Sequence, residues 1–259
     1  MNQGIVYIGT DEEYINNATF SARITKRAMD VPITLVSDRE VTDDVFDDVV
    51  IDKSPQRSFS DKPRNLLRTP YEKTLYLDTD VFLLRDISEI FDVLDQFDVA
   101  AAVDPNEWEL RYDCRVDYGE IPESFPIYQT GVLAFRKGDA ITELFNHWKK
   151  IHMQERIKRD QASFRIAMYE SNARMTALSS VYNCLLGWPM QVTGEVKVVH
   201  DTLGMINDYS DVESVDAALN DSTSPRILYN IGDEVHMPLY KNTDALLRGI
   251  HQLGRKLLR

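Results

Sequence analysis

Cysteine is nearly absent from this chain, which has Cys114 and Cys184 and no others in 259 residues. Two thiols among apolar and aromatic neighbours are too few for a disulfide framework and read as buried free cysteines. Bases are also short. There are 29 Lys and Arg against 42 Asp and Glu, a formal charge of −13, which excludes bulk nucleic acid as a partner. No uncharged apolar run, VAAAV (99–103) among them, approaches the ~20 residues of a membrane span. MNQGIVYIGT at the start has neither the basic stretch nor the apolar core of a secretory signal, so a cytoplasmic protein is expected. Repeats and low-complexity linkers are missing. So is a Gly-rich loop after the first apolar run, which counts against a nucleotidyltransferase. Disorder is excluded by what is present: 43% hydrophobic residues, 10% of the chain aromatic.

Short β-rich runs alternate with helical patterns, the signature of an α/β sheet. Strands are expected at 4–10, 32–38, 47–52, 73–80, 98–104, 126–137, 176–183 and 195–201. Helices are expected at 12–29, 87–97, 139–155 and 159–171, the third with Leu144, Trp148 and Ile151 on one stripe. The polar run 207–225 reads as a surface loop. Ligands of an open parallel sheet bind beyond the carboxyl ends of its strands. Collected there are Thr10, Asp11, Asp38, Asp78, Asp80, Asp104, His200 and Asp201, a set suited to a cation or to polar hydroxyls.

The charge is unevenly spread. Residues 38–52 hold seven acids and one base, whereas 53–73 hold six bases (Lys53, Arg57, Lys62, Arg64, Arg68, Lys73) and two acids. A basic segment leading into Asp78-Thr79-Asp80 suits a diphosphate with a divalent cation: carboxylates hold the metal and bases neutralise phosphate. A solvated loop with self-balancing charges would read the same way. His200 is either structural or a third ligand to Mn²⁺ or Mg²⁺. Asp160 is either a helix cap or, with Gln161, a site residue. Gly131 interrupts a strand, which marks a bulge or a close backbone approach. Haloacid dehalogenase-like phosphatases also place Asp-x-Asp at a strand end, but they want Thr or Val where Phe82 stands, and use the first strand.

Taken in order, these residues resemble the GT-A nucleotide-sugar glycosyltransferases, especially the glycogenin-like and bacterial galactosyltransferase members of glycosyltransferase family eight. IGTDEEY is similar to the family's first nucleotide-binding stretch, which would put Thr10, Asp11 and Tyr14 around a uracil. YEKTLYLDTDVFLLRDISEIF is the most specific match. It implies Asp78 and Asp80 as metal ligands, with Lys73 and Thr79 serving the donor. YQTGVLAFRK places Thr130 and Gly131 in the sugar region, RDQASF places Asp160 and Gln161 at the sugar, and VKVVHDTLG makes His200 the third ligand. Gln129 and Thr130 replace the family's Asn-Ser, Gly204 lies one residue too far, and Lys-Pro-Trp is missing. The diphosphate would then lean on Lys62 or Arg64.

The resemblance implies a mixed GT-A sheet flanked by helices over residues 1–238. It also implies a metal-dependent transferase moving a hexose from a nucleoside diphosphate sugar, a UDP-sugar, to a hydroxyl acceptor with retention. A non-catalytic sugar-nucleotide or glycan-binding protein of the same fold would share these residues. The segment 239–259 carries Leu246, Leu247, Ile250, Leu253, Leu257 and Leu258 on a helical stripe, with Arg248, Arg255, Lys256 and Arg259 opposite. It would either pack on the sheet or contact an anionic membrane peripherally.

Overall fold

A computed structural model describes residues 2–105, 121–154 and 159–228. Cys114, the domain boundary expected at 238 and the amphipathic segment 239–259 lie outside the described residues.

The chain opens with β1 (Gln3–Gly9), α1 (Glu12–Ala28), β2 (Ile33–Ser37) and β3 (Asp48–Ile51). β1 and β2 are apolar along nearly their whole length and buried on both faces, as strands of a covered parallel sheet must be. Asp11 starts α1, accepting the Glu12 amide at 2.6 Å. Next come the short α2 (Asp61–Asn65), β4 (Lys73–Leu77), β5 (Val81–Leu83), α3 (Ile90–Val93) and β6 (Val99–Val103). Then follow β7 (Tyr128–Arg136), α4 (Asp139–Gln154), α5 (Asp160–Tyr169), β8 (Met175–Leu178), β9 (Cys184–Leu185), β10 (Met190–Val192), β11 (Val198–His200), α6 (Tyr209–Leu219) and β12 (Arg226–Leu228).

Seven strands form a mixed sheet in the order β3-β2-β1-β4-β7-β6-β8, with β7 antiparallel to both neighbours. Strand side chains alternate between two cores. Ile5, Tyr7, Leu35, Leu75 and Leu77 pack with Ile15, Ala18 and Ala22 of α1 and with α3. Val6, Tyr76, Leu133 and Phe135 pack with Trp148 of α4 and Phe164 of α5. The small sheet β5-β11-β9 packs beside this one.

Two registers place the site. Leu77 pairs with Val132, so Asp78 emerges opposite Gly131 and donates its amide to the Gly131 carbonyl at 2.8 Å. Val81 pairs with His200, which brings His200 beside Asp80; the Asp201 amide bonds the Asp80 carbonyl at 2.9 Å.

Candidate active site

Asp78, Thr79 and Asp80 form a turn between β4 and β5 rather than the end of a strand, closed by the Val81 amide on the Asp78 carbonyl. The turn, not strand alternation, aims both carboxylates at His200. Ligand atoms of Asp78, Asp80 and His200 lie within 4.8 Å of one another. His200 Nε2 faces Asp80 Oδ1 at 3.2 Å, and its Nδ1 is buried without a partner. Gly131 is what allows the approach. A Cβ there would stand 2.4 Å from His200 Cε1 and 2.9 Å from Asp78 Oδ2.

Lys62 projects from α2 into the same space. Its buried ammonium lies 2.9 Å from Asp78 Oδ1, 2.8 Å from Asp160 Oδ2 and 3.2 Å from Thr130 Oγ1. Thr130 donates its hydroxyl to Asp160 Oδ2 at 2.7 Å. Asp160 is thus the first residue of α5 and no cap: the cap position is Arg159, which makes no side-chain capping bond. Gln161 follows on the same turn, partly buried.

The charges compete in the way burial dictates. Burial raises the Asp78 carboxyl and neighbouring Asp80 adds to that, so it stays above the usual carboxylate range although Lys62 opposes both. Burial also acts to raise Asp80 and Asp160, but His200 overrides it at Asp80, and Lys62 with the Thr130 hydroxyl overrides it at Asp160; both end below the usual range. Burial would lower Lys62 and His200, yet their acidic neighbours hold both above their ordinary values. Lys62 pairs with two of the three carboxylates and His200 faces the third, a grouping of acids that suits a divalent cation. Two carboxylates and an imidazole are a donor set that a divalent metal ion accepts.

No protein-family model and no curated protein matches the chain in sequence. Solved structures do match it. Mouse xyloside xylosyltransferase 1, in its apo form, superposes with a TM-score of 0.54 at 15% identity, over 80% of this chain and 100% of that one. The galactosyltransferase LgtC, solved with donor and acceptor sugar analogues, gives 0.55 at 11% identity, over 83% and 96%. The bifunctional glycosyltransferase WbbM in apo form gives 0.55 at 16%, over 90% of this chain and 46% of that one. The chain has the GT-A fold.

The phosphatase alternative falls, because Asp78 follows the fourth strand and Phe82 stands where that motif wants Thr or Val. The other residues singled out in the sequence separate into two groups. Asp78, Asp80, His200, Gly131, Thr130, Asp160 and Lys62 come together. Thr10 joins indirectly: its hydroxyl donates to Asp61 Oδ2 at 2.7 Å, and Asp61 also accepts the Gln56 and Arg57 amides at 2.7 and 2.8 Å. Asp61 therefore ties the end of β1 to α2 and sets the start of the helix that carries Lys62. Asp11 caps α1, Tyr14 is 53% exposed one turn on, and Thr79 is partly buried in the Asp78–Asp80 turn.

Lys73 is not brought to the cluster. It begins β4, about 17 Å up the strand from Asp78 at ~3.3 Å per residue, and binds the Phe91 carbonyl at 2.8 Å and Asp95 at 2.6 Å. Arg64 instead bonds the Ser54 carbonyl at 2.8 Å. Of the two bases suggested for the diphosphate, only Lys62 reaches the carboxylates.

Tyr76 and Gln129 were not anticipated as site residues. The Tyr76 hydroxyl donates to Asp78 Oδ1, and the Gln129 amide donates to buried Asp104 while its own Oε1 is buried without a partner. Tyr76 lies two residues before Asp78, a proximity present in the sequence; nothing in the sequence paired Gln129 with Asp104.

Proposed function

We propose that the protein is a metal-dependent hexosyltransferase that moves a sugar from a nucleoside diphosphate donor, a UDP-sugar, to a hydroxyl acceptor with retention of configuration. The observation that carries this reading is the meeting of Asp78, Asp80 and His200 over Gly131, beside the Lys62–Asp160–Thr130 network, on a GT-A backbone. Asp78, Asp80 and His200 would hold Mn²⁺ or Mg²⁺, which when bound offsets charge on the departing diphosphate.

The chain's own groups do the rest. Thr10, Asp11 and exposed Tyr14 receive the base at the end of β1. Lys62 brings a desolvated ammonium to the phosphates, where a buried charge acts more strongly than in water. Asp160, held between Lys62 and Thr130, presents a fixed carboxylate to the positive charge that develops on the sugar, and Gln161 supplies an amide beside it. The leaving phosphate oxygen accepts the acceptor's proton on the same face of the sugar. The acceptor is a hydroxyl of a glycan, a lipid-linked sugar or a protein.

UDP-glucose and UDP-galactose incubated with the protein and Mn²⁺ should release UDP, and EDTA should stop it. Asp80→Asn should remove this activity and keep the fold. Activity within about threefold of wild type, roughly 0.7 kcal/mol of barrier, would overturn the metal assignment. Binding of UDP and Mn²⁺ with no turnover on any donor would make the protein a non-catalytic sugar-nucleotide binder.

A further inference from the structure

Behind Asp160 lies a buried polar group that this chemistry leaves unused. His152, 3% exposed, sits near the end of α4 with Nδ1 3.0 Å from Ser163 Oγ. Ser163, fully buried on α5, donates its hydroxyl to the Asp160 carbonyl at 2.9 Å. Trp148 Nε1 lies 3.1 Å from the same carbonyl and 3.0 Å from Ser163 Oγ.

The donor count favours one tautomer. A serine hydroxyl has one hydrogen, and here it goes to the Asp160 carbonyl, so Ser163 Oγ can only accept from its other neighbours. On that count His152 donates from Nδ1. Burial, with Lys62 adding to it and Asp160 opposing, holds the imidazole below its ordinary pKa and therefore neutral. Two side chains, Ser163 and Trp148, thus converge on one carbonyl in the first turn of α5, with His152 behind Ser163, and no side chain caps the helix. The carboxylate of that same residue must hold Lys62 and Thr130 together.

We propose that His152 is a positioning residue: through Ser163 it fixes the first turn of α5, so that the Asp160 carboxylate stays on Lys62 and Thr130 and faces the donor sugar. The last clause rests on the transferase reading; the rest does not.

Three variants test it. In His152→Asn the side-chain amide can stand where Nδ1–H does, His152→Leu fills the space without a donor, and Ser163→Ala removes the relay. Each is assayed for UDP release from UDP-glucose or UDP-galactose with Mn²⁺, and the Asp160 carboxyl is titrated by ¹³C NMR. His152→Leu and Ser163→Ala should lower kcat about tenfold, or about 1.4 kcal/mol, with donor KM within about twofold, the mark of an interaction used in the transition state. His152→Asn should recover most of kcat. The Asp160 carboxyl should titrate higher in the Leu and Ala variants than in wild type, because its hold on Lys62 loosens. Equal losses in the Asn and Leu variants, or an unmoved Asp160 titration, would reduce His152 to packing. A wild type that turns over no sugar nucleotide would sink the transferase reading, and the Asp160 titration would still decide the positioning role.

Discussion

At the scale of single residues, the site depends on one missing side chain and one buried charge. Gly131 leaves room for His200 and Asp78 to meet, and a methyl group there would overlap both. Gly131→Ala should abolish Mn²⁺ binding by calorimetry while the protein still unfolds cooperatively. Retained binding would mean that these side chains do not share an ion. Lys62 balances Asp78 and Asp160 inside the protein. Removing one partner of a buried ion pair costs about 3–5 kcal/mol because the other charge is left uncompensated, so Lys62→Met should lower the urea midpoint strongly. The Asp160 carboxyl sits below its usual 3.8 in the folded protein, so its contribution is complete above that pH and disappears as pH falls through 3.8 toward the folded value. The stability advantage of wild type over Asp160→Asn should therefore be full at neutral pH and shrink in acid below 3.8; a difference that grew in acid would contradict this.

At the scale of elements, strands were more legible than the segments between them. β1, β2, β6 and β7 fall where continuous apolar runs placed them, because a covered sheet demands apolar side chains on both faces, whereas β3 is an exposed to half-buried edge strand and β4 stops at Leu77, short of the expected Asp80. Helix 87–97 shortens to Ile90–Val93, and the strand expected at 176–183 ends at Leu178 and passes into a 3₁₀ turn. The clearest departure is α6, which stands where a polar loop was expected. Only Val212 and Leu219 of this helix are buried, so its stripe is too sparse to see in the sequence. What starts it is local: Asp208 accepts the Ser210 and Asp211 amides at 2.7 and 3.0 Å, and Asp211 answers on the Asp208 amide. Asp208→Ala should cost about 1 kcal/mol in denaturant unfolding; no change would mean that packing of Tyr209 on Phe20 and under Arg27 holds the helix. The Asp78–Asp80 turn itself was legible in position but not in shape, since only the pairing of β5 with β11 shows how His200 reaches it. Lys73 matched a motif, yet strand length carries it away from the site. Asp61 gave no sequence signal, because its role depends on the end of β1 folding back over α2.

For the whole molecule, the formal charge of −13 describes the surface poorly as a guide to chemistry. At the site the balance is local, Asp78 and Asp160 on Lys62 and Asp80 beside His200, and the basic segment 53–73 divides between Lys62 in the cluster and bases held elsewhere, Lys73 by Asp95 and Arg68 by Asp52. Among the described residues no helix is long and apolar enough to cross a membrane. Cys184 is buried, its thiol pushed up to about 12 by burial, and takes no part in the site. Two sheets build the site: in the large one β7 runs antiparallel beside β4 and brings Thr130-Gly131 across from Asp78, and in the small one β11 returns His200 from far along the chain. The most direct measurement of this account is a thermal unfolding scan with UDP and Mn²⁺, each alone and both together. A ligand at 100 times its Kd adds about 2.7 kcal/mol, which for a chain of this size is ~5 °C or more. The account predicts that UDP raises Tm only when Mn²⁺ is present and that Asp80→Asn abolishes the rise; an equal rise with UDP in EDTA, or in Asp80→Asn, would contradict it.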